Sequence, residues 1–187
     1  MSLIISRSRP ARWHAGFGLL EVILVFALVL AAGAITFSVY RSAQSSAEAS
    51  KEADHATLIV ANLRSGGFAT SSGYSGLTIA KAINGHAIPA DMIDANGTTA
   101  HGAWGAVTLS GNFFLPNGKF GFRLTFEDVP TDACVKLVAA STQYFNHGYI
   151  LVGTNALEDP DTGAVAMADV VERCGEADTM SVGFVGS

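Results

Sequence analysis

The chain has 187 residues, of which 49% are hydrophobic, and it carries 11 basic and 16 acidic side chains. This length accommodates one membrane segment and one globular domain, but not two such domains. Three arginines lie in the first 16 residues, so eight basic and sixteen acidic side chains remain from Phe17 onward. That balance excludes a nucleic-acid-binding face of the usual basic kind.

A short basic leader, residues 1–16, precedes the most hydrophobic segment of the chain. Residues 17–40 read FGLLEVILVFALVLAAGAITFSVY, and Glu21 is the only formal charge among them. As a helix this segment would be about 36 Å long, enough to cross a hydrocarbon core of roughly 30 Å. A carboxylate there costs a few kcal/mol unless it is paired, so Glu21 is a candidate functional residue. The alternative is a carboxylate at the helix start that reaches the membrane surface and is stabilised by the helix dipole.

The leader does not have the order of an ordinary signal peptide. In such a peptide the small residues of the cleavage site follow the apolar core, whereas Ala15 and Gly16 precede it here. Arginines before the apolar segment and an acidic domain after it predict a cytoplasmic N-terminus and a C-terminus across the membrane. Cys134 and Cys174 would then lie in an oxidising compartment. If they pair, the connectivity is forced, and closing a loop of roughly 40 residues contributes about 4 kcal/mol.

The helix is predicted to continue beyond the apolar segment. A narrow apolar stripe follows at spacings of three and four, formed by Ala49, Ala53, Ala56, Val60 and Leu63. The charged residues of this segment are predicted to take the other faces: Glu48, Lys51, Glu52 and Asp54. Gly66 and Gly67 should end the helix. One helix of about 70 Å is expected over residues 17–64, half in lipid or against a partner and half under a domain.

Residues 65–187 are predicted to form an α+β head, in which the long helix packs on an antiparallel sheet. Alternating and buried-strand patterns predict strands at 104–109, 121–127, 149–153 and 180–185. Phe122, Leu124 and Phe126 should share one face of their strand. Helices are expected at 77–84, 130–144 and 166–173, and residues 116–119, PNGK, indicate a hairpin.

Several motifs suggest chemistry but are assigned to structure. An EF-hand register started at Asp159 fails, because Ala164 and Val170 stand where Gly and Glu are required. A solvated turn is expected there, with a looser calcium-binding loop as the alternative. The sequon at Asn96 is interpreted as a turn. The phenylalanines at 113 and 114 and the tryptophan at 104 are expected in the core rather than on a ligand platform.

The histidines have no Ser or Cys partner in a nucleophile motif, and no Cys/His cluster has metal-ligand spacing. They are expected at the surface or in loops: His55, His86, His101 and His147. The chain is therefore predicted to have no catalytic activity, no cofactor and no metal.

The N-terminal junction and the late cysteine pair resemble type IV pilins. The residues that carry the resemblance are Gly16-Phe17, the following Gly18-Leu19-Leu20-Glu21, the unbroken apolar helix, and Cys134 with Cys174. In that family a membrane peptidase cuts after the Gly and methylates the new N-terminus. The resemblance implies cleavage between Gly16 and Phe17, and N-methylation of Phe17. It also implies that Glu21 attracts the N-terminal amine of a neighbouring subunit, and that the cysteines staple the C-terminal segment, 134–174, onto the sheet.

The resemblance implies a structural pilus subunit that has identical subunits as its partners. Its other expected partners are prepilin peptidase, the inner-membrane assembly machinery and, before assembly, membrane lipid; no nucleic acid is expected. The head and the wide cysteine loop look more like a type IVb major pilin, although the leader of 16 residues is short for type IVb and Phe17 at the mature start is typical of type IVa. The fibre would serve adhesion, conjugation or a related surface function.

Two alternatives to this interpretation stay open. The first is a minor pilin or secretion pseudopilin. The second, in a different class, is a monomeric periplasmic binding protein anchored in the inner membrane.

Overall fold

The computed structural model of the protein describes residues 18–114, 120–142, 150–157 and 164–186. The chain divides into two units, Met1–Arg41 (unit 1) and Ser42–Ser187 (unit 2). One helix, α1 (Leu19–Ser65), contains the boundary between them, close to the predicted bounds of 17–64. Gly67 follows the helix with a φ of +71°, a backbone conformation that glycine adopts without a steric penalty.

Unit 2 contains a six-stranded sheet in which every neighbouring pair is antiparallel. Its strands are β1 (Ala100–His101), β2 (Ala106–Phe114), β3 (Phe120–Pro130), β4 (Ile150–Val152), β5 (Asn155–Ala156) and β6 (Thr179–Gly186). Their order across the sheet is β1-β2-β3-β6-β4-β5. The C-terminal strand therefore lies at the centre and joins β3 to β4, which makes the sheet depend on a contact that is distant in sequence.

Three short helices and one 3-10 turn accompany the sheet. They are α2 (Ile79–Asn84), the 3-10 turn (Ala90–Met92), α3 (Thr131–Ser141) and α4 (Met167–Cys174). The Thr78 hydroxyl accepts a hydrogen bond from the Lys81 N–H at 3.4 Å and so caps α2, as Thr does at helix starts. The α+β prediction is confirmed, with a long N-terminal helix and an antiparallel sheet.

Within unit 2 the core lies between α1 and one face of the sheet. The predicted stripe of α1 is buried throughout, from Ala49 to Leu63. Phe122, Leu124 and Phe126 are buried on one face of β3, as predicted from their alternation. Two pairs of aromatic rings pack edge-to-face in this core. Their centroids are 4.9 Å apart for Tyr74–Phe122 and 6.0 Å apart for Phe126–Phe184.

The boundaries of the elements differ from the predicted ones in places where tertiary pairing extends or ends them. Strand β2 begins at Ala106 and reaches Phe114, since its second half pairs with β3 across a register shift. Strands β1 and β5, of two residues each, and the 3-10 turn were not predicted, because so few residues carry no periodic pattern. The predicted hairpin at 116–119, His147 and the segment at Asp159 lie outside the described residues.

A disulfide joins Cys134 in α3 to Cys174 at the end of α4. The Cα atoms are 5.8 Å apart and both residues are completely buried. The bond links α3 to α4, and β6 follows α4 in the chain. The pairing inferred from the cysteine count is therefore present.

The prediction that Glu52 lies on a face of α1 away from the apolar stripe is wrong, since it is buried beside that stripe. Glu52 is 2% exposed, and its Oε1 accepts a hydrogen bond from the Ala103 N–H at 2.8 Å. Gly102 lies against the same carboxylate, and a Cβ built there would meet Glu52 Oε2 at 3.0 Å. A buried carboxylate is tolerated only with such partners. Glu52 thus binds the segment before β2 to the helix across 51 residues of sequence.

His55 lies one helical turn beyond Glu52 and is also misplaced by the prediction of a surface histidine. Only 12% of its side chain is exposed, and its ring nitrogens lie 3.4 Å from Glu52 Oε2 and 3.4 Å from Asp91 Oδ2. Lys51 Nζ lies 3.0 Å from the same Asp91 oxygen, and this contact lowers the pKa of Asp91 and raises that of Lys51. The charged residues of α1 therefore hold the 90–104 segment in place.

Removing the disulfide by a double Cys134→Ser/Cys174→Ser substitution should lower the free energy of unfolding by about 4 kcal/mol, since the unfolded chain regains the entropy of an open loop. Denaturant titration of the full chain in detergent measures the change. The reductant-treated native chain should give the same loss. Equal stability of the oxidised chain and the double variant would contradict the structural role.

Replacing Glu52 with Ala should destabilise unit 2 by about 1–3 kcal/mol, because the Ala103 N–H loses its charged acceptor. The same denaturant titration measures the change. Glu172→Ala is a matched control, since Glu172 is exposed on α4 and its loss should change stability by less than about 0.5 kcal/mol. Equal effects of the two substitutions would show that the Glu52 contact contributes nothing.

Candidate functional site: the apolar segment of α1

The N-terminal segment of α1, residues 19–41, is exposed along its whole length. Its large apolar side chains remain uncovered on every face of the helix: Leu19, Leu20, Val22, Ile23, Leu24, Val25, Phe26, Leu28, Val29, Leu30, Ile35, Phe37, Val39 and Tyr40. A monomeric soluble protein rarely shows a contiguous apolar surface of this extent, which instead marks a membrane or protein contact. By length and composition, this is the one helix among the described residues that could cross a membrane.

Glu21 lies in the first turn of this apolar segment. Its N–H donates to the Gly18 carbonyl at 2.9 Å, and the next N–H, that of Val22, donates to the same oxygen at 3.3 Å. A carboxylate at this position is stabilised by the partial positive charge of the helix start. Across the described ranges, none of the ion pairs involves Glu21. Its exposed carboxylate can therefore accept a cation from outside the described chain.

The Thr and Ser hydroxyls of the segment are hydrogen-bonded within the helix. Thr36 donates its hydroxyl to the Ala32 carbonyl and Ser38 donates to the Ile35 carbonyl, both at 2.8 Å. Bonds of this kind suit hydroxyl side chains in an apolar environment. Helical structure continues through Gly33, where an added Cβ would meet nothing within 4 Å. The segment thus presents an apolar surface with one carboxylate at its beginning.

The predicted processing residues, Gly16 and Phe17, lie outside the described residues. Cleavage between them and N-methylation of Phe17 stay predictions. Glu21 is the one member of the predicted N-terminal signature that the structure places in a defined setting, in the first turn of α1.

The two other histidines that the structure describes, His86 and His101, have different settings. His86 is exposed in a left-handed conformation with a φ of +57°, after the end of α2. His101 is exposed in β1, and its Nδ1 lies 2.8 Å from Asp94 Oδ1. A hydrogen bond from the Thr99 hydroxyl, together with His101, lowers the pKa of Asp94. These contacts close the loop before β1.

The sequon at Asn96 forms the predicted turn. Asn96 Oδ1 accepts hydrogen bonds from the N–H groups of Thr98 at 2.9 Å and Thr99 at 3.2 Å, and Gly97 has a φ of +68°. Asn is frequent at such positions because its side chain bonds to the backbone two residues ahead. Among the described residues, no group of three or more His, Cys, Asp or Glu side chains is placed to hold a metal.

The face of the sheet opposite the core carries an open groove of about 220 Å³. Its lining is polar or small apart from one Leu, and it consists of Thr108, Arg123, Thr125, Glu127, Leu151, Gly153, Thr154, Ser181 and Gly183. Phe114, expected in the core, is instead 63% exposed near one end of β2 and packs edge-to-face on Phe120. Sequence alternation alone does not locate this groove, because it joins side chains from four strands.

Comparisons with known proteins indicate the family to which the chain belongs. Residues 46–187 match the PilS N-terminal family, so the match begins after the apolar segment. A comparison with curated protein sequences found no match. Among solved structures, a type IV b pilin from Salmonella typhi is similar at 21% identity with a TM-score of 0.53, covering 72% of this chain and 96% of that chain. TcpA, a type IV pilin from Vibrio cholerae El Tor biotype, is 13% identical with a TM-score of 0.46. That match covers 77% of this chain and 99% of the TcpA chain.

The family match covers most of the chain and all of the described sheet. The Salmonella typhi pilin shares the fold of unit 2, in which a long helix packs on an antiparallel sheet. The exposed apolar start of the same helix adds the N-terminal segment that the sequence resemblance requires. This chain therefore belongs to the PilS N-terminal family of type IV pilins.

Proposed function

We propose that this chain is a structural subunit of a type IV pilus and assembles with identical subunits through the apolar segment of α1. The observation that supports this most is the uncovered apolar surface of residues 19–40 on the helix of a pilin-family head. A surface of that kind is stable only in lipid or against other apolar helices. The subunit would be held in the inner membrane before assembly and would lie in an extracellular fibre afterwards.

In the proposed pathway a prepilin peptidase removes residues 1–16 and methylates Phe17. The assembly machinery of the inner membrane then transfers the subunit from lipid to the growing fibre. The three proposed segments are the leader, the helix over 17–64 and the head over 65–187, with the disulfide loop 134–174 fixing the C-terminal part of the head. This role needs no catalysis and no cofactor, and the fibre would serve adhesion, conjugation or another surface function.

Glu21 would act as the docking group of this assembly. In lipid its carboxylate has no described partner, whereas a neighbouring subunit in the fibre brings a positively charged N-terminal amine. Charge attraction is stronger in a dry interior than in water, although desolvation offsets much of the gain. Glu21 therefore contributes the choice and stagger of the partner more than the stability of the fibre.

Glu21→Val should abolish or strongly reduce surface filaments while the subunit remains in the membrane fraction, because the apolar surface is kept and the docking charge is lost. Electron microscopy of sheared surface material and a membrane-fraction blot measure the two quantities. Glu172→Val removes an exposed carboxylate of unit 2 instead and should leave filaments at the native level. Normal filaments from the Glu21 variant would contradict the docking role.

The mature protein should begin at N-methyl-Phe17, since cleavage after Gly16 frees the amine that Glu21 is proposed to meet. Intact-mass spectrometry of the purified subunit measures this as the loss of residues 1–16 with one added methyl group. An intact leader on the membrane-bound protein would instead support the anchored periplasmic protein of the alternative hypothesis. Cleaved subunits that form only short periplasmic fibres would indicate a secretion pseudopilin.

A further inference from the structure

We infer that Phe37, Tyr40 and Arg41 form an anchor that binds the lipid headgroup layer and sets the depth of α1 in the bilayer. The anchor lies at the C-terminal end of the apolar segment, where unit 1 ends. The inference rests on the proposed membrane-inserted state of the subunit before assembly. It adds a second contact to that state, distinct from the docking role of Glu21.

The first argument is the spacing of charge along the helix. Between residues 18 and 41 the formal charges are those of Glu21 and Arg41, one near each end. Both residues belong to the same uninterrupted helix, so twenty steps of about 1.5 Å separate them by about 30 Å. That distance equals the thickness of a typical hydrocarbon core, roughly 30 Å. A helix held with Arg41 at one headgroup layer therefore brings Glu21 to the other.

The second argument is the chemistry at the C-terminal end. Arg41 Cζ lies 5.6 Å from the centroid of the Phe37 ring, within the range of a cation–π contact. Phe37 is 61% exposed and Tyr40 is 65% exposed, so both rings face the surroundings of the helix. Tyrosine is enriched at membrane surfaces, and arginine binds phosphate groups with two parallel hydrogen bonds. The three side chains thus offer rings to the acyl boundary and a guanidinium to the lipid phosphates.

The third argument is the change of polarity directly after Arg41. Residues 42–46 read SAQSS, and the side chains of Gln44 and Ser46 form hydrogen bonds along the helix. Gln44 Nε2 donates to Glu48 Oε1 at 2.9 Å, and the Ser46 hydroxyl donates to the Ser42 carbonyl at 2.8 Å. The Ser42 carbonyl also accepts a hydrogen bond from Lys136 Nζ at 3.1 Å. Polar groups and a lysine therefore begin directly after Arg41, which places the lipid boundary in the neighbourhood of that residue.

The anchor gives Glu21 two successive environments. In the free subunit its carboxylate lies at the headgroup level of the leaflet opposite Arg41, where water and the helix start stabilise it. On assembly the carboxylate leaves that level and meets an amine of a second copy. The membrane-surface interpretation of Glu21 and its docking interpretation then describe two stages of one pathway.

The test measures depth in vesicles of phosphatidylcholine with phosphatidylglycerol, using the full chain with its native disulfide. A nitroxide label is attached to a cysteine that replaces Ala43, and its depth is obtained from relaxation by oxygen and by a water-soluble nickel chelate. With Arg41→Leu the label should move about 5 Å, one helical turn, toward the hydrocarbon, because the phosphate contact that resists this movement is lost. With Arg41→Lys the label should move by no more than half of that distance, since a cation remains.

A matched control removes the same side chain elsewhere. Arg123→Leu alters the outer sheet face and should leave the depth of the label unchanged. A second label at Leu30 reports insertion of the segment itself. If that label is buried in hydrocarbon but the Ala43 label stays in place in Arg41→Leu, the anchor is overturned while the proposed membrane-inserted subunit stands. If the Leu30 label is in water, both are overturned.

Discussion

A single helix carries two apolar surfaces that need different partners. Beyond Ala49 its stripe is narrow and buried under the sheet of its own chain, whereas residues 19–40 are apolar on all sides and uncovered. Fully burying a large apolar side chain is worth roughly 1.5–3 kcal/mol, so covering this segment is worth on the order of 20 kcal/mol or more. That exceeds the usual stability of a whole domain, about 5–15 kcal/mol. The chain therefore requires a bilayer or other apolar helices, and the proposed docking through Glu21 and the proposed depth of α1 in the membrane both depend on that requirement.

In unit 2, a long helix is positioned on a sheet whose strands are distant in sequence. Alanines in the stripe let the helix approach closely, and Glu52 fixes it to the backbone at Ala103. The disulfide holds α3 and α4 together ahead of β6, the strand that completes the centre of the sheet. Directed polar contacts and one covalent bond thus specify the position of segments that apolar burial alone would leave free to slide.

Particular residues show how far sequence patterns reach. The alternation of Phe122, Leu124 and Phe126 was enough to predict their shared buried face, because strand geometry alone enforces a period of two. The apolar stripe of the helix placed Glu52 wrongly, and the preference of large aromatic residues for the core placed Phe114 wrongly. Glu52 is buried because an N–H from a segment distant in sequence reaches it, which no local pattern shows. Phe114 ends β2 opposite Phe120 and remains 63% exposed.

The sequence by itself determined the long helix, the apolar segment with Glu21 in its first turn, and the one disulfide that two cysteines can form, Cys134–Cys174. Each of these follows from periodicity, from hydropathy along one segment, or from counting. Only the tertiary structure decided the central place of β6, the burial of Glu52 and His55, and the assembly of a polar groove from four strands. These depend on pairings between segments far apart in the chain, and such pairings are set by the packing of the whole sheet against the helix rather than by any local pattern.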